Sequence, residues 1–268
     1  MGVLRIIVYL AWTVIALPLQ VVAVRLHLPL RRRLPLIYHS TCLRLLGIRL
    51  KVYGRRSRAR PTLFVSNHSS YLDIMILGGL VPGSFVAKAE VARWPFFGLL
   101  AKLQETVFVD RKASSAREQR ASLLNRLEAS DNLILFPEGT SSDGNRTLPF
   151  KSALFAVADL RVDGAPLTVQ PVSIAATALD GIPLGRMMRS LYAWYGDMAL
   201  LPHIWRVAGA GRLTVVVQFH PPVTIDTMGS RKALAEACWK QVADGVAAAN
   251  AGRLPASRRR RRRDGVAA

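Results

Sequence analysis

An apolar run, IIVYLAWTVIALPLQVVAV at residues 6–24, opens the chain and is weakened only by Pro18 and Gln20. At about 1.5 Å per residue a helix of that length nearly crosses a hydrocarbon core of about 30 Å, so the run predicts a membrane-anchoring helix. A cleaved leader is the competing reading. Only Arg5 stands before the run, no A-x-A site follows it, and Arg25 and Arg31-Arg32-Arg33 come soon after, which argues for a retained anchor. A second apolar stretch, residues 34–46, is interrupted by His39 and Arg44 and is too short to span. It reads as an interfacial amphipathic helix, with an ordinary core helix as the alternative.

Beyond Gly47 the pattern changes period. IRLKVYG, TLFVSN, TVFVD, NLILF, LTVQPVSI and RLTVVVQF are short and β-branched and predict strands. Helical patterns fall between several of them: residues 72–80, 114–129 (Ala116, Leu123, Leu124 and Leu127 among charges), 151–160, and a closing helix at 231–249. Strands alternating with helices predict an α/β fold, a mixed sheet flanked by helices. The expected organisation is anchoring and interfacial helices at 1–47, one catalytic domain at 48–250, and an Arg-rich tail at 251–268 too polar to pack. Residues 177–211, with Trp194, Tyr195, Trp205 and Met187-Met188, are irregular. They read as a lipid-facing excursion, against the alternative of loop-rich core.

Composition sharpens the membrane reading. Hydrophobic residues make up 51% of the chain, and 37 Lys+Arg against 17 Asp+Glu give +20. Dense phosphate attracts such a chain whether it belongs to nucleic acid or to anionic lipid. No nucleic-acid module is recognisable in the domain, so no nucleic-acid partner is expected, and the arginines at 258–263 read as a tether to an anionic lipid surface. Because the Arg cluster follows the anchor, the domain is expected on the cytoplasmic side of the inner membrane. Cys42 and Cys238 lie far apart without a metal-like spacing, so neither a disulfide framework nor a zinc site is indicated.

Candidate chemistry gathers after two apolar strands. In SNHSSYLD, His68 leaves a strand and Asp73 opens a helix. An imidazole titrates near neutrality and can take the proton of an attacking hydroxyl, while a carboxylate behind it holds the other ring N–H. Alone, that spacing is common. The second piece, FPEGTSSDGN at 136–145, follows NLILF; its Gly and Ser/Thr content lets amides face an anion, and Glu138 can orient an acceptor or a base. His27, His39, His203 and His220 have no comparable neighbourhood. No G-x-S-x-G, P-loop, complete G-x-G-x-x-G or HExxH signature occurs.

Together these pieces resemble the 1-acylglycerol-3-phosphate acyltransferase family of glycerolipid acyltransferases. NHSSYLD resembles the N-H-x4-D block, TVFVDR (106–111) the second block, FPEGT the third and VQPVSI (169–174) the fourth, with order and spacing to match over roughly residues 40–222. The resemblance implies an acyl-thioester donor, acyl-CoA or acyl carrier protein, a lysolipid acceptor, no resident cofactor or metal, and one-step transfer without an acyl-enzyme. It implies His68 as base and Asp73 as its partner, Arg111 on the acceptor head group, and Glu138, Gly139 and Thr140 shaping that pocket. Lys151 is a further cation for a phosphate, or simply an exposed helix-start lysine.

Two positions depart from the family pattern. The second block commonly carries glycine where Glu105 or Thr106 stands, and the third commonly continues with arginine where Ser141 stands. Either Arg146 replaces that phosphate ligand, or the acceptor lacks glycerol phosphate. FPEGTSSDGNRTLPFKS and YAWYGDMALLPHIWR also resemble a branch that includes lyso-ornithine lipid acyltransferases, whose acceptor offers a carboxylate in place of phosphate. The motifs favour lysophosphatidate, with lyso-ornithine lipid as the alternative. Water could replace the acceptor hydroxyl in a hydrolase; the four blocks favour transfer.

Overall fold

A computed structural model describes residues 2–109 and 116–253, except the side chains of residues 116–120. Arg111 and the arginine run at 258–263 lie outside the described residues. The chain begins with α1 (Gly2–Arg25) and α2 (Leu30–Leu45), then β1 (Ile48–Tyr53), β2 (Thr62–Ser66), α3 (Leu72–Leu80), β3 (Gly83–Lys88), α4 (Phe97–Leu103) and β4 (Val107–Val109). It continues with α5 (Ala116–Glu128), β5 (Asn132–Leu135), the small pair β6 (Arg161–Val162) and β7 (Ala165–Pro166), β8 (Thr168–Leu179), β9 (Ile182–Pro183), α6 (Leu200–Gly209), β10 (Leu213–Phe219), α7 (Ile225–Met228) and α8 (Arg231–Asn250).

Among the described residues the main sheet runs β1-β10-β8-β2-β5-β3-β4, with β9 hairpinned on β8. β2 is parallel to β8 and β5, and β3 to β5 and β4, while β10 runs antiparallel to β8, so the sheet is mixed, as the pattern predicts. Every residue of β2 and β5 is buried, which is why TLFVS and NLIL read as nearly unbroken runs: both faces are covered. Phe64 and Ile134 face a core with Leu43, Ile76, Leu77 and Val207 from α2, α3 and α6. Leu63 and Leu133 turn to the opposite core with Phe155, Leu234, Cys238 and Val242. The period-2 alternation of a strand thus sorts neighbouring residues onto two helical layers.

β3 is absent from the strands the pattern predicts, because GSFVAK is short and Gly83, Ser84 and Ala87 dilute its β-branched signal. The helix expected at 151–160 is a 3-10 helix, Ser152–Asp159. α2 buries Leu34, His39, Cys42 and Leu43, and a Cβ on Gly78 would meet the His39 ring at 2.5 Å, so glycine lets α2 close on α3. One face of α2 therefore packs into the core, while Leu30 and Ile37 stay exposed.

α1 is long and apolar enough to cross a membrane. Its buried Thr13, Ala16, Gln20 and Ala23 recur every three or four residues and form one stripe on the domain. The helix is fastened near both ends. Arg5 Nη1 donates to Ala210 O at 2.7 Å and Ala208 O at 3.2 Å beside α6, and Gln20 Nε2 donates to Leu103 O at 2.8 Å at the end of α4. Outward from the stripe, Leu4, Ile7, Val14 and Ile15 are exposed.

Candidate active site

β2 ends in the sheet centre, and the chain must turn there before α3. Asn67 secures the turn: its side-chain Nδ2 donates to Ile174 O at 2.9 Å and its Oδ1 accepts the Ile174 N–H at 2.8 Å, mimicking one more rung of the β2–β8 ladder. His68 follows at once, half-exposed. Its backbone N–H donates to Glu138 Oε1 at 3.0 Å, and its carbonyl accepts the Ser142 N–H at 2.9 Å, so both strand-end loops are tied at this residue.

His68 Nδ1 lies 3.1 Å from Asp73 Oδ2. That oxygen also accepts the N–H groups of Ser69 at 2.7 Å and Ser70 at 2.9 Å, and the side chain is fully buried. An ionised carboxylate only accepts, so Nδ1 carries the ring proton and Nε2 keeps its lone pair for an incoming hydroxyl. The other carboxylate oxygen, Oδ1, accepts the hydroxyl of Tyr192. Burial first, and then the Asp73 charge, push the Tyr192 phenol well above its ordinary value and keep it a donor. The His68 ring stacks on Phe136 with centroids 4.2 Å apart and planes at 21°, and Phe136 stacks in turn on Phe85. These contacts fix the plane of the imidazole and leave it one free edge.

Glu138 is almost wholly buried; burial pushes its carboxyl up to about 8 against the opposing effect of the His68 and Leu148 amides, so it is neutral at neutral pH. Its Oε2 has no hydrogen-bond partner among the described residues. Gly139 takes φ +70°, and a Cβ there would lie 3.0 Å from Lys151 Nζ, which places the exposed ammonium across the loop. Thr140 is exposed next to it. Arg146 is exposed farther along the loop, where its charge acts on Asp143. The structure therefore brings His68, Asp73, Glu138, Gly139 and Lys151 together, places Thr140 and Arg146 on the open side of the same loop, and leaves Arg111 undescribed.

Comparison with known proteins bears on what such a site does. The family model for acyltransferases matches residues 49–175. A lyso-ornithine lipid O-acyltransferase from Brucella abortus is 43% identical over 230 residues, which cover 84% of this chain and 86% of that one. The chain belongs to the acyltransferase family. The acyltransferase is also 31% identical over 192 residues to a 1-acyl-sn-glycerol-3-phosphate acyltransferase from Neisseria gonorrhoeae, covering 70% of this chain and 71% of that one. Its fold is similar to the crystal structure of the 1-acyl-sn-glycerophosphate acyltransferase of Thermotoga maritima, with a TM-score of 0.61 at 22% identity over 92% of this chain and 96% of that one. The mixed sheet with flanking helices is the fold the sequence predicts.

Three contributors to the site are given no role by the sequence. Asn67 stands in the N-H-x4-D block, but nothing in the sequence names its Ile174 partner. Phe136 reads as the last apolar residue of a strand. Tyr192 sits in YAWYGD, a string that carries a branch resemblance but no hint of a partner 119 residues away.

Proposed function

We propose that this acyltransferase esterifies the free hydroxyl of lyso-ornithine lipid, using acyl-CoA or acyl carrier protein as donor and His68 as general base. The observation that supports the chemistry best is the His68 ring anchored through Nδ1 on buried Asp73, with Nε2 open. Nε2 takes the proton of the acceptor hydroxyl as its oxygen attacks the thioester carbonyl. Collapse of the tetrahedral intermediate breaks the C–S bond, and the imidazolium returns the proton to the leaving thiolate, so no residue of the chain is acylated. Asp73 orients the ring and stabilises its charged form, the part a carboxylate plays behind histidine in hydrolases. Lys151 and, from the family pattern, Arg111 supply cations for the head-group carboxylate; Glu138, buried, holds the His68 backbone N–H through Oε1.

The acceptor rests on the similarity at 43% identity and 84% coverage, against 31% and 70% for the glycerol-phosphate enzyme. Ser141, where that pattern commonly has an arginine, points the same way. Lysophosphatidate is the second reading, favoured by the Neisseria relative and by the four motif blocks. α1, fastened along the domain with its apolar side outward, holds the enzyme on the cytoplasmic face of the inner membrane, where its basic excess meets anionic lipid.

Labelled acyl donor offered with each acceptor in parallel tests this. Diacyl product from lyso-ornithine lipid at a higher kcat/KM than from lysophosphatidate is expected. Preference for lysophosphatidate would overturn the acceptor and keep the chemistry, and free fatty acid without diacyl product would overturn transfer itself.

A further inference from the structure

The stretch from Gly185 to Gly209 has two unlike sides. Inward, Tyr192 donates to Asp73, the Trp194 N–H donates to Ser69 O at 2.7 Å, and His203 Nδ1 lies 3.2 Å from the Tyr71 hydroxyl. These three contacts seat the segment on the loop that carries the His68–Asp73 pair. Outward, it presents large apolar groups. Met187 is 87% exposed, Leu201 78% and Trp205 58%.

In α6 the division follows helical spacing. His203, Val207 and Ala208 are buried, while Leu201 and Trp205, one turn apart, point away from the core. A helix facing water carries polar residues on that side; here the outward pair is leucine and tryptophan, the latter favoured where an apolar phase meets a wet one. Arg186 and Arg206 are exposed beside them, as lipid phosphates at an interface would favour.

α6 is also continuous with α1. Arg5 of α1 donates to the carbonyls of Ala208 and Ala210, and a Cβ on Gly2 would stand 3.1 Å from Gly209 Cα, so the two helices touch where α6 ends. The outward apolar side of α1, with Leu4 and Ile7, therefore borders the outward side of α6.

From this arrangement we infer that the segment holding Met187, Leu201 and Trp205 is a second membrane-inserting surface, and that its occupant is the acyl-chain and head-group boundary of an anionic bilayer. It rests on the reading of the enzyme as membrane-bound through α1. The same residues that enter lipid on one side hold the catalytic loop on the other, so the His68–Asp73 pair is registered against the bilayer surface from which a lysolipid must come.

The test uses the full chain in vesicles of phosphatidylethanolamine and phosphatidylglycerol. Cys42 and Cys238 are fully buried, so an introduced surface thiol can be labelled selectively with a polarity-sensitive fluorophore. Three variants are compared: Leu201→Cys, Val14→Cys on the outward side of α1, and Lys240→Cys on α8 in the opposite layer. Blue-shifted emission at 201 and 14, lost on adding nitroxide-bearing lipid, with an aqueous spectrum at 240, is the expected result. An aqueous signal at 201 with a buried one at 14 would overturn the second surface and leave the membrane reading standing. Aqueous signals at both would overturn the two together. A blue shift at 201 that lipid nitroxide does not quench would mean contact between protein copies and would also overturn the inference. Should Leu201→Cys fail to fold, Trp205→Cys carries the label with the same expectations.

Discussion

Tyr192 and Asp73 are 119 residues apart and meet in the core, where the phenol hydroxyl donates to the carboxylate oxygen that His68 does not use. The carboxylate is thereby held from both ends, with two loop amides on the histidine side. Removing the hydroxyl in Tyr192→Phe keeps the packing volume and frees one oxygen. The carboxylate and the ring it holds lose orientation, and kcat falls roughly tenfold, equivalent to about 1.4 kcal/mol, with little change in acceptor KM. Steady-state kinetics on the variant checks this; an unchanged kcat with a raised KM would make Tyr192 a packing residue only.

Asn67→Ala removes two buried hydrogen bonds to Ile174 and leaves that residue's N–H and C=O without partners. Unsatisfied buried groups cost about 1–3 kcal/mol each, so a loss of roughly 2–6 kcal/mol of stability is expected from urea unfolding.

Glu138 gives a pH dependence of stability with a defined sign. Its folded carboxyl is raised by burial from an ordinary value of 4.5 to about 8, so between those values the folded state keeps a proton that the unfolded state has lost. Stability therefore falls as pH rises through that window and levels off above it. Glu138→Gln, which cannot ionise, should flatten this component, seen as a smaller difference between urea midpoints measured near the two ends of the window.

Gly139 sits at φ +70° with the Lys151 ammonium against it. Alanine there is strained by about 1–2 kcal/mol and displaces that cation. Gly139→Ala and Lys151→Met should both raise acceptor KM severalfold while lowering kcat less, because the displaced charge meets the head group and not the reacting hydroxyl. Steady-state kinetics with acceptor varied distinguishes this from a general loss of activity.

What the sequence discloses follows how far its signals reach along the chain. β2 and β5 are legible because burial on both faces makes them continuous apolar runs, and the His68–Asp73 pair is legible because a strand end and a helix start lie five residues apart. The same locality hides Tyr192, whose partner is brought by the path of β8 and the segment after it. α4, with 7 residues, is too short to show a period. α6 was hidden by Pro202, His203 and Arg206, which break the apolar pattern; His203 is buried against Tyr71, and Arg206 is exposed. The apolar residues 6–24 were legible as one long helix, whereas the Arg5 and Gln20 contacts that lay the helix along the domain come from elements far away in sequence.

The most direct measurement is the turnover of His68→Ala with lyso-ornithine lipid and labelled acyl donor, on protein shown by urea unfolding to keep its fold. A general base contributes about 10²–10⁴-fold, so diacyl product should form at least about 10² times more slowly than with the natural chain. Near-natural turnover in that variant would remove His68 from the chemistry and with it the account of the site.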